Sequence, residues 1–384
     1  MSSITKVTVL GSGIMGHGIA QISAMAGYNV TLRDVAQSFL NNAMDKIKWS
    51  LSKLVEKQKL TQTDADKVFS RITPIVDLQQ ALKDADLLIE AVPEDISLKK
   101  QVYTEVDKYA DSKTVYASNT STLPITEMAA LTLRPQQFVG LHFFNPPQLM
   151  QLVEVIPGKM TKQTITDMAM DFVKDIGKQP VLCRKDVVGF IVNRIFIPLV
   201  HEAAYCQDRG EASMIQIDSS VKFKMAFPMG IFELADYTGL DVIYKATVEM
   251  YSRDKKVINP HPKIKKLFDE KNFGQKSGKG FYEYKGGGDK YERINLTEEE
   301  AERYNPINIV AVAANNAAWL ISNEISDRKD LEKALKLGMG LKVDLFTTLE
   351  KFGIENIVKS LREMEVKYGS FYEPDRYLIN YKHH

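Results

Sequence analysis

Residues 6–34, KVTVLGSGIMGHGIAQISAMAGYNVTLRD, constrain the fold more than any other part of the chain. An apolar strand runs into Gly11, Gly13 and Gly16, a helical stretch follows, and a second strand ends at Asp34. That order builds a dinucleotide site. Gly11 permits the tight turn, Gly13 lets the backbone approach a pyrophosphate, and Gly16 lets the helix pack on the strand. The helix N-terminus offers unpaired N–H groups and the positive end of its dipole to the phosphates. A carboxylate at Asp34 can accept both hydroxyls of an adenosine ribose and repels a 2′-phosphate. The pattern therefore favours NAD over NADP, with Arg33 beside it softening the preference. A tight turn that merely contains glycines is the competing reading, against which the ordered strand, helix, strand and acid weigh.

At 384 residues the chain is too long for one compact core and predicts two or three domains. Lysines and arginines number 50 against 49 acids, so no global field favours nucleic acid or a membrane surface as partner. Any polyanion must be met by a local patch. Two cysteines, Cys183 and Cys206, without paired-thiol spacing, point to a reducing compartment and offer no metal cluster. The first strand begins at Lys6 and no apolar run reaches membrane-spanning length, so the expected location is the cytoplasm.

Strand-like runs recur at VTVL, VTLRD, LLIEAV, TVYAS, FVGLHFF and LVEVI. The intervening helical and turn segments predict an α/β domain over 1–186 with a doubly wound, Rossmann-type sheet. From Val187 the texture changes. GFIVNRIFIPLVHEAAYC is too apolar for a surface helix and opens an all-α domain over 187–285. Three glycines at 286–288 with flanking lysines predict a linker.

Beyond the linker the chain repeats itself. ELADYTGLDVIYKATVEMY from Glu233 matches TTLEKFGIENIVKSLREME from Thr347, with Gly239 opposite Gly353, and KMAFPMGIF lies opposite GMGLKVDLF. Asn193 lies nearly as far ahead of the first copy as Asn305 lies ahead of the second. These matches predict a second, degenerate all-α copy over 290–384 that keeps a packing face and forms an internal pseudo-dimer with the first. Coincidence between two amphipathic stretches is the alternative.

Besides GSGIMGHGIA, the segments IEAVPED (89–95), ASNTSTLPIT (117–126), GLHFFNPPQLMQLVEVI (140–156), GFIVNR (189–194), PMGIFELADYTGLD (228–241) and GQKSGKGFYEY (274–284) occur in this order. On these motifs the sequence resembles the 3-hydroxyacyl-CoA dehydrogenase family. The resemblance implies NAD as cofactor and an acyl-CoA partner. The implied reaction is reversible oxidation of an (S)-3-hydroxyacyl-CoA to the 3-oxoacyl-CoA, on short chains such as 3-hydroxybutyryl-CoA. Two C-terminal domains resemble the long multifunctional members and the archaeal forms fused to enoyl-CoA hydratase, which leaves room for a fused or associated hydratase. No hydratase segment is visible, and the two final histidines read as a tag remnant. Val188, Lys224, Ala226 and Ile231 depart from the family pattern at turns of the helical part.

Oxidising a secondary alcohol needs a base for the hydroxyl proton while hydride leaves the same carbon, and a group titrating near neutrality can both take and return that proton. His142, at the end of an apolar strand, is the candidate; His17, His201 and His261 lie elsewhere. A core histidine satisfied by its neighbours is the bland alternative. An imidazolium needs an anion and an orienting acceptor. Glu154, on what reads as the next strand of an antiparallel pair turning at FNPPQ, fits, although a solvent-facing edge glutamate is common. Ser121 follows strand TVYAS, at the sheet edge where ligands collect, and can hydrogen-bond the substrate oxygen. Ser118, Thr120 and Thr122 read as helix caps. Asn193 and Arg194 interrupt an apolar run, and a buried amide at Asn193 needs a partner such as the substrate oxygen or an interdomain bond.

The resemblance assigns Ser121 and Asn193 to orienting the reacting oxygen. It further implies cofactor contacts from Ile14, Met15, Ala91, Val92, Glu94, Lys99, Asn119, Ser121 and Asn145, with a solvated Lys99 as the alternative. Lysines crowd a predicted helix from Lys46 to Lys59, and Ser50, Lys53 and Lys57 share one face. Ser50 and Lys57 match the family's CoA-contacting positions; otherwise such lysines are a solvated face. Two other functions compete: a dehydrogenase of a free hydroxy acid or sugar acid on the same scaffold, and a non-catalytic NAD-binding protein.

Overall fold

The computed structural model describes residues 4–254, 257–285 and 292–381. The triple glycine at 286–288 and the two terminal histidines lie outside the described residues. The chain divides between Val187 and Val188 into two compact units.

The first unit is built on eight strands: β1 (Lys6–Leu10), β2 (Asn29–Arg33), β3 (Ile72–Ile75), β4 (Leu87–Glu90), β5 (Val115–Ser118), β6 (Phe138–Phe143), β7 (Leu152–Pro157) and β8 (Gln179–Leu182). Their order in the sheet is β3-β2-β1-β4-β5-β6-β7-β8. Every neighbouring pair is parallel except β6 and β7. Central strands β4 and β5 are buried along their whole length, as continuous apolar runs in a parallel sheet must be. Val7, Val9, Leu32, Ile89, Val139 and Leu141 have no exposed surface, and each contributes about 1.5–3 kcal/mol of burial.

Strands β3 and β8, absent from the sequence reading, form the two edges of the sheet. Each carries a proline, Pro74 and Pro180, that masks a strand pattern and is tolerated where one side of the ladder has no partner. Between β1 and β4 the winding reverses, and ligands of open α/β sheets collect outside the strand ends at such a point. Helices α1 (Ile14–Met25) and α2 (Gln37–Glu56) follow β1 and β2.

The described part of the second unit contains helices and no strand of the sheet. Four of its helices recur at a nearly constant interval along the chain. Val192–Asp208, Met214–Lys224, Ile231–Thr238 and Leu240–Arg253 are followed by Ile307–Ser322, Arg328–Met339, Leu345–Phe352 and Ile354–Tyr368. Gly239 (φ 104°) and Gly353 (φ 82°) each end one helix and start the next in a backbone conformation that side chains disfavour. Asp218 accepts from the backbone N–H groups of Phe232 (2.8 Å) and Glu233 (3.1 Å). Glu332, one methylene longer, accepts from those of Leu345 (2.7 Å) and Phe346 (2.8 Å). Both acids thereby cap the next helix.

Helices Val192–Asp208 and Ile307–Ser322, buried along most of their length, pack on each other. Ala226, where the family pattern has glycine, takes φ 60°, a left-handed conformation that costs a residue with a Cβ about 1–2 kcal/mol. Ile231, where the pattern has proline, is the first residue of its helix, the one position where either residue fits.

Candidate active site

The turn after β1 is closed by contact and open at one place. A Cβ on Gly11 (φ 92°) would stand 2.6 Å from the Ala91 carbonyl oxygen, and one on Gly16 would stand 1.8 Å from the Gly11 carbonyl oxygen. Around Gly13 nothing lies within 4 Å of such an atom, so a ligand can approach the backbone there. Helix α1 starts at Gly13 with no side-chain cap and no acid in its first turn. Its leading N–H groups are thus available to a pyrophosphate. Ile14 is 62% exposed at the helix start and Met15 is half-buried. The Asp34 carboxylate accepts from the Ser12 N–H (2.7 Å) and hydroxyl (2.6 Å), with its other oxygen on the Val35 N–H (2.7 Å). It ties the glycine turn to the end of β2. Arg33 Nε donates to the Val76 carbonyl (3.1 Å).

At the ends of β4 and β5 lies a cluster centred on Glu90, a residue the sequence reading did not single out. Glu90, fully buried, accepts from Lys99 Nζ (3.0 Å), the Val92 N–H (2.8 Å) and the Ser118 hydroxyl (2.6 Å). Lys99 is 1% exposed and also pairs with Glu94 at 2.9 Å, which overturns the solvated alternative. Burial alone would lower the Lys99 pKa, yet the carboxylates of Glu90 and Glu94 raise it above the ordinary lysine value. For Glu94 burial acts upward, and Lys99 together with hydrogen bonds from Thr120 and the Ser121 N–H holds it below the usual range.

Glu94 also accepts from the Ser121 N–H (3.0 Å) and from the N–H (3.2 Å) and hydroxyl (3.3 Å) of Thr122. Ser118, Thr120 and Thr122 are therefore not helix caps; the helix Ile125–Ala129 begins after Pro124, and these residues serve the two carboxylates instead. Asn119 bridges strands, its N–H on the Glu90 carbonyl (2.8 Å) and its Oδ1 accepting from the Phe143 N–H (2.9 Å). The one signal for Glu90 in the sequence was an acid ending the apolar run LLIE, with a lysine nine positions on. Asp186, also missed, accepts from the N–H groups of Ile125 (3.0 Å) and Thr126 (2.6 Å) and so starts that helix.

His142 and Glu154 are direct partners in the antiparallel ladder of β6 and β7. His142 Nδ1 lies 2.7 Å from Glu154 Oε2, the imidazole 5% exposed and the glutamate buried. With an ionised carboxylate at Nδ1, that nitrogen carries the proton and Nε2 is the basic one. Phe144 packs its ring 4.6 Å from the imidazole, and Asn145 follows, exposed. One sheet edge thus gathers Gly11, Gly13, Ala91, Val92, Glu94, Asn119, Ser121, His142 and Asn145 at the ends of β1, β4, β5 and β6.

Ser50, Lys53 and Lys57 lie apart, along α2 and its C-cap. Lys53 is paired with Glu56 at 2.7 Å, an acid the charge reading passed over, while Lys57 is exposed. Asn193 belongs to the helical unit, at the second position of helix Val192–Asp208, and is half-buried. The deeply buried polar residue of that run is its neighbour Arg194, which corrects the burial argument made for the amide. His201 and His261 are core histidines. His201 Nε2 bonds the Thr247 hydroxyl (2.7 Å), its Nδ1 accepts from the His261 N–H (3.0 Å), and His261 Nε2 pairs with Asp208 (3.1 Å). Cys183 and Cys206 are buried free thiols, and no metal-binding cluster occurs among the described residues. No helix among those residues is long and apolar enough to cross a membrane.

Residues 6–187 match the NAD-binding domain of 3-hydroxyacyl-CoA dehydrogenase, and 189–284 match its C-terminal domain. The chain is 41% identical over 290 residues to the mitochondrial hydroxyacyl-coenzyme A dehydrogenase of Sus scrofa, covering 73% of this chain and 92% of that protein. It is 39% identical over 282 residues to a probable 3-hydroxybutyryl-CoA dehydrogenase of Deinococcus radiodurans, covering 73% of this chain and 100% of the relative. The crystal structure of 3-hydroxybutyryl-CoA dehydrogenase from Escherichia coli superposes with a TM-score of 0.87 at 25% identity, covering 98% of both chains. The extra helical region thus has a counterpart in that fold but lies beyond the part shared with the two other relatives. By domain match and by identity over nearly the whole length of these relatives, the chain belongs to the 3-hydroxyacyl-CoA dehydrogenase family of NAD-dependent oxidoreductases.

Proposed function

We propose that this enzyme interconverts short-chain (S)-3-hydroxyacyl-CoA and 3-oxoacyl-CoA, with 3-hydroxybutyryl-CoA and acetoacetyl-CoA as the preferred pair. The observation that carries the reading is the buried His142–Glu154 pair at the sheet edge that also holds the glycine turn. In the oxidative direction His142 Nε2 takes the hydroxyl proton, and Glu154 stabilises the imidazolium through Nδ1–H. NAD, when bound, accepts the hydride. Ser121 and Asn193 orient the reacting oxygen by hydrogen bonds. Glu94, with Lys99 behind it, fixes the loop that presents Ser121 and Asn119 on the nicotinamide side, where Asn145 joins them. Ser50 and Lys57 meet the CoA nucleotide, with Lys53 contributing less because Glu56 shares its charge.

The domain organisation belongs to the same reading: a cofactor domain over 1–186, a substrate domain over 187–285, and a degenerate copy from 290 that covers the substrate domain in place of a partner subunit. The nearly equal intervals between helices and the matched caps at Asp218 and Glu332 support it. A cytoplasmic setting fits the two unpaired thiols. Following NADH absorbance with acetoacetyl-CoA, longer 3-oxoacyl-CoAs and free 3-oxo acids tests the whole reading. Turnover should be greatest with acetoacetyl-CoA and fall as the acyl chain lengthens. Faster turnover of the free acid overturns the CoA assignment, and no turnover of any of them overturns catalysis.

A further inference from the structure

Glu90 ends β4 with no exposed surface and collects donors from four residues. Both of its oxygens lie 3.0 Å from Lys99 Nζ. One also accepts from the Val92 N–H (2.8 Å), the other from the hydroxyls of Ser118 (2.6 Å) and Tyr103 (3.3 Å). Lys99 has a second carboxylate in Glu94, at 2.9 Å, whose side chain is 32% exposed and forms the outer end of the cluster. Burial pushes the Tyr103 phenol well above its ordinary value, so it adds no charge. Two carboxylates and one ammonium leave one negative charge in excess.

Lys99 does not need both acids. One carboxylate neutralises it, and a second one taken out of water is a cost to the fold. An amide at position 90 would offer its carbonyl to the same donors without that cost. The excess charge also has a definite place. In the sheet, β4 and β5 lie between β1, whose turn is open to a pyrophosphate, and β6, which carries His142. Neighbouring strands are about 4.8 Å apart, so the ends of β4 and β5 are within about 10 Å of both. A nicotinamide that exchanges hydride with a substrate on His142 must lie over this span. Its ring is cationic in NAD and neutral in NADH.

With the nicotinamide beside Asn119, Ser121 and Asn145 as in the proposed function, we propose that Glu90 sets the redox preference of the cofactor site: the excess negative charge of the Glu90–Lys99–Glu94 cluster favours the cationic ring of NAD over the neutral ring of NADH. Bound NADH is thereby made a stronger hydride donor, which eases reduction of a 3-oxoacyl group. Glu90 touches neither ring nor substrate and acts through its field. The nearby Asp95 and Lys100 are exposed, opposite in sign and screened by solvent. The Glu154 carboxylate adds its own negative charge through His142, and it is unaltered by a change at position 90. One charge about 10 Å away at an effective dielectric constant of about 20 alters the affinity for a cation by about tenfold.

Dissociation constants of NAD and NADH for the full-length protein are measured by calorimetry without substrate. Glu90→Gln should raise the ratio of the NAD constant to the NADH constant by about threefold to tenfold. The double variant Glu90→Gln with Lys99→Gln keeps one negative charge, on Glu94, and should bring the ratio back to within about twofold of wild type, although it disturbs the cluster more. A purely structural role would weaken both cofactors alike in the single variant and more so in the double. Glu94→Gln, at the partly exposed end, removes the same charge if the buried variant does not fold, and should move the ratio in the same direction. An unmoved ratio in a folded Glu90→Gln or in Glu94→Gln, or a ratio that rises further in the double variant, overturns the proposal. Turnover of acetoacetyl-CoA by the wild type separates the two failures: turnover with an unmoved ratio removes only the role of Glu90, whereas no turnover removes the placement on which it rests.

Discussion

His142 and Glu154 stand opposite each other in adjacent antiparallel strands, with Nδ1 and Oε2 2.7 Å apart in a buried setting. The ladder fixes the register, so the carboxylate and the ring rise from directly opposed positions on one face of the sheet. Replacing His142 by Gln should lower kcat by roughly two to four orders of magnitude, the range of a positioned general base, with NADH binding nearly intact by fluorescence titration. Glu154→Gln should also slow turnover and displace the pH profile of kcat. Unchanged turnover in the His142 variant would move the base elsewhere.

Asp34 holds Ser12 and, in the proposed function, accepts from the adenosine ribose, so its loss acts twice. Asp34→Ala should weaken NAD binding about 10- to 100-fold, the range of one or two charge-assisted hydrogen bonds, with little change for NADP. Comparing kcat/KM for both cofactors checks this. Wild-type efficiency with NADP equal to that with NAD contradicts the assignment.

Lys57 is exposed and Lys53 is already paired. Lys57→Glu should raise KM for acetoacetyl-CoA well beyond any effect on KM for NADH, and added salt should shrink the difference because exposed charges are screened. Lys53→Ala should do less. A KM insensitive to the reversal at position 57 leaves α2 as a solvated face.

Acid should unfold the helical unit in part through His201. Burial, reinforced by His261, lowers its pKa from 6.5 to about 3. Between those values the unfolded chain binds a proton that the folded chain refuses. The stability this residue contributes is complete above pH 6.5 and is lost as pH falls through the window, by up to about 1.4 kcal/mol per pH unit. Asp218 and Asp236 work the other way. Burial raises them to about 7 and about 6, so their contribution is present below pH 3.8 and is lost as pH rises through those values. Urea midpoints from about pH 4 to about pH 7.5 should show a shallower acid limb in His201→Gln and a shallower neutral-side decline in Asp218→Asn. Parallel curves for wild type and the His201 variant count against a buried neutral imidazole.

Truncation after Lys285 removes the partners of several buried groups. The Ser220 hydroxyl loses the Ala301 and Tyr304 carbonyls (3.1 Å each), and Glu211 loses Tyr304 and Asn308. The apolar face of helix Val192–Asp208 is uncovered as well. The truncated chain should dimerise or aggregate in sedimentation experiments. A soluble, well-folded monomer would show that the second helical copy is not a built-in partner.

The dinucleotide turn and the His142–Glu154 pairing were legible because both follow from local order: a glycine spacing in one case, an alternating strand pair in the other. Strands β3 and β8 were hidden by Pro74 and Pro180, whose edge positions only the assembled sheet reveals. Glu90 was hidden differently. Taken singly it reads as surface, and only the approach of Lys99 from the helix Ile96–Tyr109 makes its burial affordable. Asn193 was misread as buried because an apolar run shows that one face of a helix is covered without showing which face.

Tyr372 donates a 2.7 Å hydrogen bond to Glu202, a carboxylate with no exposed surface whose other oxygen is held by Arg209 at 2.6 Å. Burial keeps the Glu202 pKa raised despite both donors. A chain that ended before this tyrosine would have to find a replacement donor from water or from another molecule. The C-terminal segment therefore serves a group 170 residues upstream, and its removal would leave a buried carboxylate with one donor fewer.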